Sequence, residues 1–397
     1  MTTAEAARRL GVKRETVYAY VSRGLLARDS SSDRRGSLFC PADVEALADR
    51  ARHGNRSGAL EVTVRTELTS LDPAGRLFYR GRDVVELARH RSFEEVASLL
   101  WDGEANAPWR LAPTDRRLLA SVRAPLPADA LASDLIAVAI AALGAADPTA
   151  GDRRPAAVRQ AATRMCAGAT AILDDHASAK GTTAERLWRA LSKRRTGSSP
   201  RQVAAVDAAL VLLADHELSA SAMAARIAAS AWADPYRVVL AGLGPLGGVL
   251  HGAMSLAVAD LLEALDSPDQ AFAALEQRLA VAPVPGFVPG FGHGVYRDRD
   301  PRAEHLLDRV PSVATDPARA QTVQALTDAA HQLGMPRPNA DFGLAALTYA
   351  MDMRRDAATT IFTIARIAGL IAHALEEYPH RLRFRPRASY IGTAPGS

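Results

Sequence analysis

Three short segments rich in glycine and proline carry side chains suited to acid–base chemistry on an anionic substrate. They span residues 247–252, 285–305 and 336–342, and their glycines allow sharp turns and a close approach of the backbone to a ligand. The residues of interest are His251 in the first segment, His293, Arg297, Arg299 and Arg302 in the second, and Asp341 in the third. Imidazole and carboxylate groups transfer protons, and the planar guanidinium binds carboxylate or phosphate through two parallel hydrogen bonds.

Each segment also has a structural interpretation, and no single segment decides between the two. A lone histidine between glycines, such as His251, is more often a capping or core residue. The arginines of residues 285–305 are equally compatible with a solvated loop in which they pair with Asp298 and Asp300. An aspartate that precedes a helical run, such as Asp341, is most often a helix N-cap.

The elements that must position these residues are mostly helices. Apolar residues make up 48 % of the chain and aromatic residues 5 %, so the core must consist mainly of alanine, leucine and valine, which is typical of all-helical packing. Helical segments are predicted at 134–143, 202–213, 218–229, 254–265 and 358–377. Only residues 62–79 alternate as β-strands do. We therefore expect a mainly α fold, and the length of 397 residues indicates two or three domains.

The first 50 residues have the spacing of a helix-turn-helix module. Residues 3–10 predict a short helix capped by Thr3, and residues 14–23 predict a second helix after a turn that contains glycine. Residues 25–28 and 37–39 predict a two-stranded wing. The sequence AARRLGVKRETVYAYVSRGLL resembles the MerR-like winged helix-turn-helix family.

The charge of the chain is concentrated in this module. Residues 1–57 hold 11 basic and 7 acidic residues, which accounts for the whole net charge of +4. The candidate DNA contacts are Arg14, Thr16 and Tyr18 in a major groove and Arg34 and Arg35 on phosphate. The alternative is a module that packs on the rest of the protein or mediates assembly without touching DNA, since the excess charge is modest.

Composition and short motifs exclude several classes of protein. Cys40 and Cys166 are too few for a disulfide framework, and we expect a reducing compartment, the cytoplasm. The N-terminal residues do not show a basic region followed by an apolar one, so we expect no secretory signal here. The longest apolar run, 135–146, is too short to cross a bilayer, so we expect no membrane partner. No dinucleotide or Walker phosphate loop and no zinc-site spacing occurs, so we expect no metal.

In combination, the three segments resemble the citrate synthase family. LHG around His251, GFGHGVYRDRDPRA at 290–303 and PNADF at 338–342 match three catalytic motifs of that family in the same order. The other matching stretches are LDPAGRLFYRGRDVVELA (71–88), SFEEVASLLWDGE (92–104), LLADHELSAS (212–221), ARIAGLIAHALEE (365–377) and RPRASYIG (385–392). The resemblance covers residues 58–397, and its specificity lies in the combination.

The resemblance implies an all-α homodimeric enzyme whose large and small domains close around the substrates. The predicted boundaries are 1–54 for the helix-turn-helix module, 55–251 and 348–397 for the large domain, and 252–347 for the small domain. The implied reaction condenses acetyl-CoA with oxaloacetate to give citrate and CoA, as an acyltransferase. It needs no metal or redox cofactor, because acid–base chemistry and domain closure carry the reaction, and the coenzyme A thioester is a substrate.

The resemblance also implies roles for single residues. Asp341 would remove a proton from the acyl methyl group, His251 would stabilise the enol through the thioester carbonyl, and His293 would polarise and protonate the ketone. A carboxylate alone cannot remove a weakly acidic thioester α-proton near neutral pH unless a positioned donor meets the enolate oxygen. The remaining residues are His216, Arg302, Arg366 and Arg385 for the oxo acid, with Arg385 supplied by the other subunit, and Arg297 for a coenzyme A phosphate.

The sequence departs from the family pattern beside these positions. Leu213 stands where the family often has histidine, and Ser219 and Ala222 replace an asparagine and a threonine. After His251 the chain reads Gly-Ala-Met-Ser-Leu where the family has Gly-Gly-Ala-Asn-Glu. The neighbours of catalytic groups fix their geometry, so these changes put the rate and the substrate in question, with propionyl-CoA or another 2-oxo acid as options.

Three hypotheses follow. The first is an active citrate or 2-methylcitrate synthase with an appended helix-turn-helix module, which the intact His251, His293 and Asp341 favour. The second is a transcription regulator that uses a degenerate synthase domain to sense a metabolite. The third is an enzyme whose N-terminal module serves assembly only.

Overall fold

The chain folds into two compact units, Met1–Arg65 and Thr66–Ser397, in a computed structural model. Each unit is described by itself. The structure describes residues 1–10, 12–22, 26, 38–41, 43–44, 63–72, 74–104, 109–174, 180–194, 197, 199–249, 251–282, 287–296 and 298–385.

The first unit contains the two predicted helices, α1 (Thr3–Leu10) and α2 (Arg14–Ser22). The cap of α1 is Thr2 rather than the expected Thr3, because Thr2 Oγ1 accepts the Glu5 N–H at 3.3 Å while Glu5 Oε2 accepts the Thr2 N–H at 2.8 Å. This reciprocal pair satisfies two backbone donors that the first helical turn leaves free.

A small apolar core holds the first unit together. Its buried members are Ala6, Ala7, Val17, Leu26, Phe39 and Val44. The N-terminus is fixed beside this core, since Phe39 N–H donates to Met1 O at 2.8 Å and Thr2 forms an antiparallel bridge with Leu38. Most of the predicted wing, including Arg34 and Arg35, lies outside the described residues.

The second unit opens with a small antiparallel sheet. Its strands are β1 (Thr69–Leu71), β2 (Leu77–Tyr79) and β3 (Arg82–Asp83), in the order β1-β2-β3. Ser70 pairs with Phe78, and Gly75 closes the turn between β1 and β2 at a φ of 79°. The predicted β-segment is therefore confirmed, although its first residues precede β1.

The rest of the second unit is helical, as expected. The helices are α3 (Val84–His90), α4 (Phe93–Leu100), α5 (Pro113–Arg123), α6 (Ala132–Ala145), α7 (Pro155–Ala171), α8 (Thr183–Leu191), α9 (Pro200–Leu212), α10 (Ala220–Ser230), α11 (Pro235–Leu246), α12 (Met254–Glu263), α13 (Ala271–Ala280), α14 (Pro301–Leu307), α15 (Val310–Val313), α16 (Pro317–Gln332), α17 (Ala340–Ala350) and α18 (Ala357–Glu377). Several begin at proline, whose fixed φ suits the first helical position. The five predicted helices all occur, and none of their ends is shifted by more than two residues.

Helix α18 is the core of one group of helices. It packs against α4, α6, α7, α9, α10 and α11. By length and composition α18 could cross a membrane, but 89 % of its apolar stretch is buried inside the protein, so it is a core helix. The run at 135–146, which the sequence had singled out, lies in the shorter apolar helix α6.

A second group of helices surrounds α17. Helices α12, α14, α15 and α16 pack against it, and α13 packs on α16. The two groups meet where α17 and α12 contact α18. The described parts of the glycine-rich segments lie between α11 and α12 (247–249 and 251–252), before and within α14 (287–296 and 298–305) and before and within α17 (336–342).

Candidate active site

The loop that carries His293 is tied to the start of α17. Gly292 N–H donates to Arg337 O at 2.9 Å, and Asn339 N–H donates to Gly290 O at 2.9 Å. Asn339 Nδ2 also donates to Gly292 O at 2.8 Å. Gly290 and Gly292 have φ angles of 90° and 78°, which glycine adopts without steric cost. The second and third sequence segments are thereby held together.

Asp341 lies in the first turn of α17 and is not its cap. The cap is Asn339, whose Oδ1 accepts the N–H groups of Asp341 at 3.0 Å and Phe342 at 3.3 Å. Ser255 Oγ, on α12, donates to Asp341 Oδ1 at 2.5 Å. Burial raises the pKa of Asp341 to about 6, although the Ser255 hydrogen bond and the Arg302 charge act against the rise. The carboxyl is therefore ionised at neutral pH and still basic enough to accept a proton.

Arg302 is held by a buried bidentate ion pair. Its Nε and Nη2 donate to Asp300 Oδ1 and Oδ2 at 2.9 and 2.8 Å, and the two side chains are only 4 % and 1 % exposed. Asp300 Oδ2 also accepts the Ala340 N–H at 3.0 Å. Burial alone would raise the pKa of Asp300, but the Arg302 charge holds it below its usual range. The alternative of a solvated arginine–aspartate pair is thus wrong for Arg302.

His216 and His293 form an aromatic cluster with Tyr296. The two imidazole centroids are 5.3 Å apart, and Tyr296 Oη lies 3.1 Å from His216 Nε2. Burial lowers the pKa of His293 to about 4 and that of His216 well below its usual value, and the Arg302 charge adds to both shifts. His293 Nδ1 accepts the Val295 N–H at 3.0 Å, so the neutral ring carries its proton on Nε2. His293 can therefore donate a hydrogen bond from Nε2.

The turn that presents His216 is anchored by its neighbour Asp215. Tyr79 Oη donates to Asp215 O at 2.8 Å and accepts the Asp215 N–H at 3.0 Å. The Asp215 carboxylate accepts a hydrogen bond from Thr69 Oγ1 at 2.5 Å and lies 3.1 Å from His373 Nε2. These contacts join the sheet, α18 and the segment before α10, and they fix the backbone from which His216 projects.

His251 lies in the turn between α11 and α12 and is bonded to a serine. Ser221 Oγ lies 3.0 Å from His251 Nε2, and Ser219 Oγ lies 3.0 Å from Ser221 Oγ. Ser219 Oγ accepts the Ala222 N–H at 3.3 Å, so its own hydroxyl proton can point to Ser221. Ser221 then donates to Nε2, and the neutral imidazole carries its proton on Nδ1. Burial, followed by the charge of Arg366, lowers the pKa of His251 to about 4.

Arg366 is a buried cation whose charge acts on His216, His251 and Asp341. It is 2 % exposed on α18, and its Nε and Nη1 have no hydrogen-bond partner in the part of the chain that the structure describes. Its guanidinium carbon is 5.0 Å from the centroid of the Phe362 ring, which in turn is 6.0 Å from the His251 ring. Buried charged donors normally have partners, so Arg366 is well suited to bind a carboxylate.

Charge interactions through the buried cations Arg302 and Arg366 link six predicted residues. They are His216, His251, His293, Arg302, Asp341 and Arg366. Electrostatics links the two helical groups here, because the charge of Arg366 acts on the pKa of His251, His216 and Asp341 alike. A cavity of about 220 Å³ opens beside His293 and is also lined by Arg299 and Arg337.

Other predicted residues are not brought together in this way. Arg385 is exposed near the end of the described chain and makes no hydrogen bond or ion pair to these residues within the described ranges. Arg297 lies outside the described residues. In the first unit Arg14 is exposed, Tyr18 is 47 % exposed and Thr16 is half-buried, so Thr16 is less accessible than expected.

Sequence reasoning assigned no role in the site to four residues that touch it, although it named one of them, Asp300, as a possible surface ion-pair partner. They are Ser221, Ser255, Tyr296 and Asp300. Ser255 stands where the family has asparagine after His251, and this departure from the family pattern was the sequence signal that could have pointed to a role in the site. Ser221 gave no such signal, because serine near a helix start is common.

The described residues contain no group of three or more His, Cys, Asp or Glu side chains able to hold a metal ion. The two cysteines are not paired, and Cys166 is buried while Cys40 is exposed.

Comparison with known proteins identifies the second unit. A family model described as "Citrate synthase, C-terminal domain" matches residues 59–387. The chain belongs to the citrate synthase family. A second model, "Helix-turn-helix domain", matches residues 1–52 and confirms the predicted N-terminal module. Members of this family are acyltransferases, as the sequence implied.

Relatives of both expected kinds share most of the citrate synthase-family region. A 2-methylcitrate synthase of Mycobacterium tuberculosis is 32 % identical over 361 residues, 85 % of this chain and 90 % of the relative. A citrate synthase of Mycolicibacterium smegmatis is 30 % identical, over 88 % of this chain and 97 % of the relative.

Solved structures show the same fold. A citrate synthase of Thermoplasma acidophilum, in a ternary complex with carboxymethyl coenzyme A and oxaloacetate, has a TM-score of 0.70 at 23 % identity and covers 86 % of this chain and 96 % of its own. A citrate synthase of Pyrobaculum aerophilum has a TM-score of 0.67 at 25 % identity, over 93 % and 95 %.

Proposed function

We propose that the second unit condenses acetyl-CoA with oxaloacetate and releases citrate and CoA. The observation that carries this proposal is the Asp341 carboxyl, held by Ser255 at 2.5 Å with a pKa of about 6, in the same site as two neutral histidines. A weak base beside two neutral hydrogen-bond donors suits enolisation and carbonyl addition. Membership of the citrate synthase family supports the same reaction.

The proposed steps use each group once. Asp341 takes the α-proton of the thioester, and the electron pair of the broken C–H bond forms an enolate whose oxygen accepts the Nδ1–H of His251. The enolate carbon then bonds to the ketone carbon of the oxo acid, and the ketone oxygen takes a proton from His293 Nε2. Water then cleaves the thioester: its oxygen bonds to the acyl carbon as the carbon–sulfur bond breaks, and one of its protons goes to the sulfur of the departing CoA. The proton held by Asp341 returns to His293 through solvent, which restores both groups. Positioned donors at the developing oxyanion supply most of the stabilisation that such a step needs.

The carboxylates of the oxo acid are proposed to lie on Arg302 and Arg366, with His216 beside them. Arg302 is fixed by Asp300, whereas Arg366 keeps two unpartnered donors among the residues described. We further propose that Arg385 of a second subunit completes the site in a homodimer, and that Arg297 contacts a coenzyme A phosphate. Closure of the segment 252–347 on 55–251 and 348–397 would exclude water from the enolate.

A CoA-release assay tests the reaction. Full-length protein is given acetyl-CoA or propionyl-CoA with oxaloacetate, and free thiol is measured. We expect release with acetyl-CoA; higher kcat/KM with propionyl-CoA would assign 2-methylcitrate synthesis, which the Mycobacterium tuberculosis relative favours. Release with neither thioester, nor with other short acyl-CoA and 2-oxo acid pairs, would leave the metabolite-sensing regulator.

For the first unit we propose DNA binding, in a protein that works in the cytoplasm. The support is the helix-turn-helix match and the exposed Arg14 and Tyr18 on α2. Anisotropy titrations with labelled genomic fragments at several salt concentrations test it, because phosphate contacts weaken steeply with salt. We expect Arg14→Gln to lower both the affinity and the salt slope. No binding at low salt would favour assembly as the module's role.

A further inference from the structure

A cavity of about 730 Å³ lies in the second unit, away from the residues described above. It is bounded by α5 and the residues on either side of this helix, by the C-terminal end of α7 and by Arg186 on α8. Its floor is apolar, with Leu119, Ala167 and Ile172 all buried. A cavity of this size is in the range that holds small-molecule ligands.

The rim of this cavity is cationic. Arg116, Arg117, Arg123 and Arg186 line it, whereas Asp174 is the acidic residue among the lining residues that the structure describes. Arg123 is engaged locally, since its Nη1 donates to Leu126 O at 3.0 Å. The lining therefore favours an anionic ligand.

Arg186 is the deepest of these cations and is incompletely bonded. It is 7 % exposed, and its Nη1 donates to Trp109 O at 2.7 Å. Its Nε and Nη2 are buried and have no hydrogen-bond partner within the described ranges. Burial lowers the pKa of Arg186, the charge of Glu94 acts against this shift, and the charges of Arg189 and Arg116 add to it. A bound anion would act in the same direction as Glu94.

Glu94 interacts with the charge of Arg186 but does not accept a hydrogen bond from its guanidinium group. Glu94 Oε1 accepts the N–H and the Oγ1–H of Thr183, both at 2.7 Å, and its Oε2 has no partner in the described part of the chain. The two side chains therefore attract each other without sharing a hydrogen bond. Arg186 therefore lines the cavity with two buried donors, Nε and Nη2, that have no partner among the described residues.

We propose that this cavity binds an amphipathic small-molecule carboxylate, with the carboxylate on Arg186 and the apolar body on the floor formed by α5 and α7. The headgroup would use the two unpartnered donors as a bidentate pair. The body would cover Leu119 and Ile172. This site is independent of the condensation reaction and does not rest on the proposed function.

Calorimetric titration of the full-length protein with octanoate, and with octan-1-ol as a neutral analogue of equal chain length, tests the proposal. We expect octanoate to bind at least about tenfold more tightly, a difference of about 1.4 kcal/mol, because only the carboxylate can form charge-assisted hydrogen bonds with Arg186. Saturating oxaloacetate and CoA should leave this binding unchanged. No octanoate binding, equal binding of the alcohol, or displacement by oxaloacetate would overturn it.

Two variants and a control locate the site. Arg186→Gln should abolish the preference for octanoate over the alcohol. Ala120→Trp fills the cavity from the exposed side of α5 and should abolish binding of both, which keeps the test decisive even if Arg186→Gln does not fold. Arg201→Gln removes an exposed arginine of α9 that is not among the lining residues and should change nothing. Unchanged octanoate binding in Ala120→Trp would refute the assignment.

Discussion

We expect the hydrogen bond from Ser255 to Asp341 to set the pH at which Asp341, the proposed base, can accept a proton. Ser255→Ala removes the Oγ–H donor that lies 2.5 Å from Asp341 Oδ1 and leaves the carboxyl in the same buried position. A donor stabilises the ionised form of a carboxylate. Its loss therefore raises the pKa of Asp341 above the value of about 6 in the intact site.

The size of the shift follows from the strength of the bond. A hydrogen bond to a charged group contributes about 1.5–3 kcal/mol, and one pKa unit corresponds to about 1.4 kcal/mol. The pKa of Asp341 should therefore rise to about 7–8. At pH 7 the ionised share falls from roughly nine-tenths to between roughly a half and a tenth, so kcat/KM should fall by about 2- to 10-fold.

The assay is CoA release measured from pH 5 to 9 in Ser255→Ala, with Ser255→Asn as the control that restores a donor. We expect the acidic limb of kcat/KM to move up by about 1–2 pH units in the alanine variant and to stay in place in the asparagine variant. Activity of the alanine variant should recover at pH 9, where Asp341 is ionised in either protein. A uniform loss at every pH, with an unmoved acidic limb, would show that Ser255 does not tune the base.

Three further variants test the other groups. Asp341→Asn should abolish CoA release, while oxaloacetate binding measured by calorimetry should remain. The raised pKa of Asp341 favours the folded state below about pH 4, and this contribution is lost as pH rises through 6. At pH 8 the free energy of unfolding in urea should therefore be about 1–3 kcal/mol higher in the variant. Turnover in this variant would refute the assigned base. Ser221→Ala removes the hydrogen bond that keeps the proton of His251 on Nδ1, so kcat should fall at least about tenfold, whereas Ser221→Thr should keep most of the activity. Equal kcat in the two variants would show that Ser221 does not fix the His251 tautomer. Arg366→Gln should raise the oxaloacetate KM at least about tenfold without lowering Tm, since its Nε and Nη1 bond no described residue; an unchanged KM would exclude it from the substrate site.

The sequence predicted the helices because their periodicity is strong. The helix predicted at 358–377 is observed at Ala357–Glu377, and the one predicted at 254–265 at Met254–Glu263. Caps were less predictable, since both Thr2 and Thr3 have the right chemistry and only the return bond from Glu5 decides between them. The division of the second unit into large and small domains remains a prediction.

The catalytic candidates were predictable from motifs, but their electrostatic state was not. No sequence pattern shows that Asp300 would bury its carboxylate on Arg302, or that Arg366 would keep two donors without a described partner. These properties depend on packing between α14, α17 and α18, which brings together segments far apart in the chain. The same packing lowers the pKa of His251 and His293 and raises that of Asp341, so one desolvated pocket yields two neutral donors and one usable base.

The two serines that depart from the family pattern both make hydrogen bonds in the site, and their side chains are shorter than the asparagines they replace. Ser219 Oγ accepts the Ala222 N–H and lies 3.0 Å from Ser221 Oγ, which in turn lies 3.0 Å from His251 Nε2. Ser255, which also replaces asparagine, donates to Asp341. A hydroxyl acts as donor and acceptor, which explains how both substitutions are compatible with catalysis.

Because serine is smaller than asparagine, Ser255→Asn should lower kcat/KM for propionyl-CoA more than for acetyl-CoA. An equal effect on the two thioesters would show that this position does not limit the acyl chain.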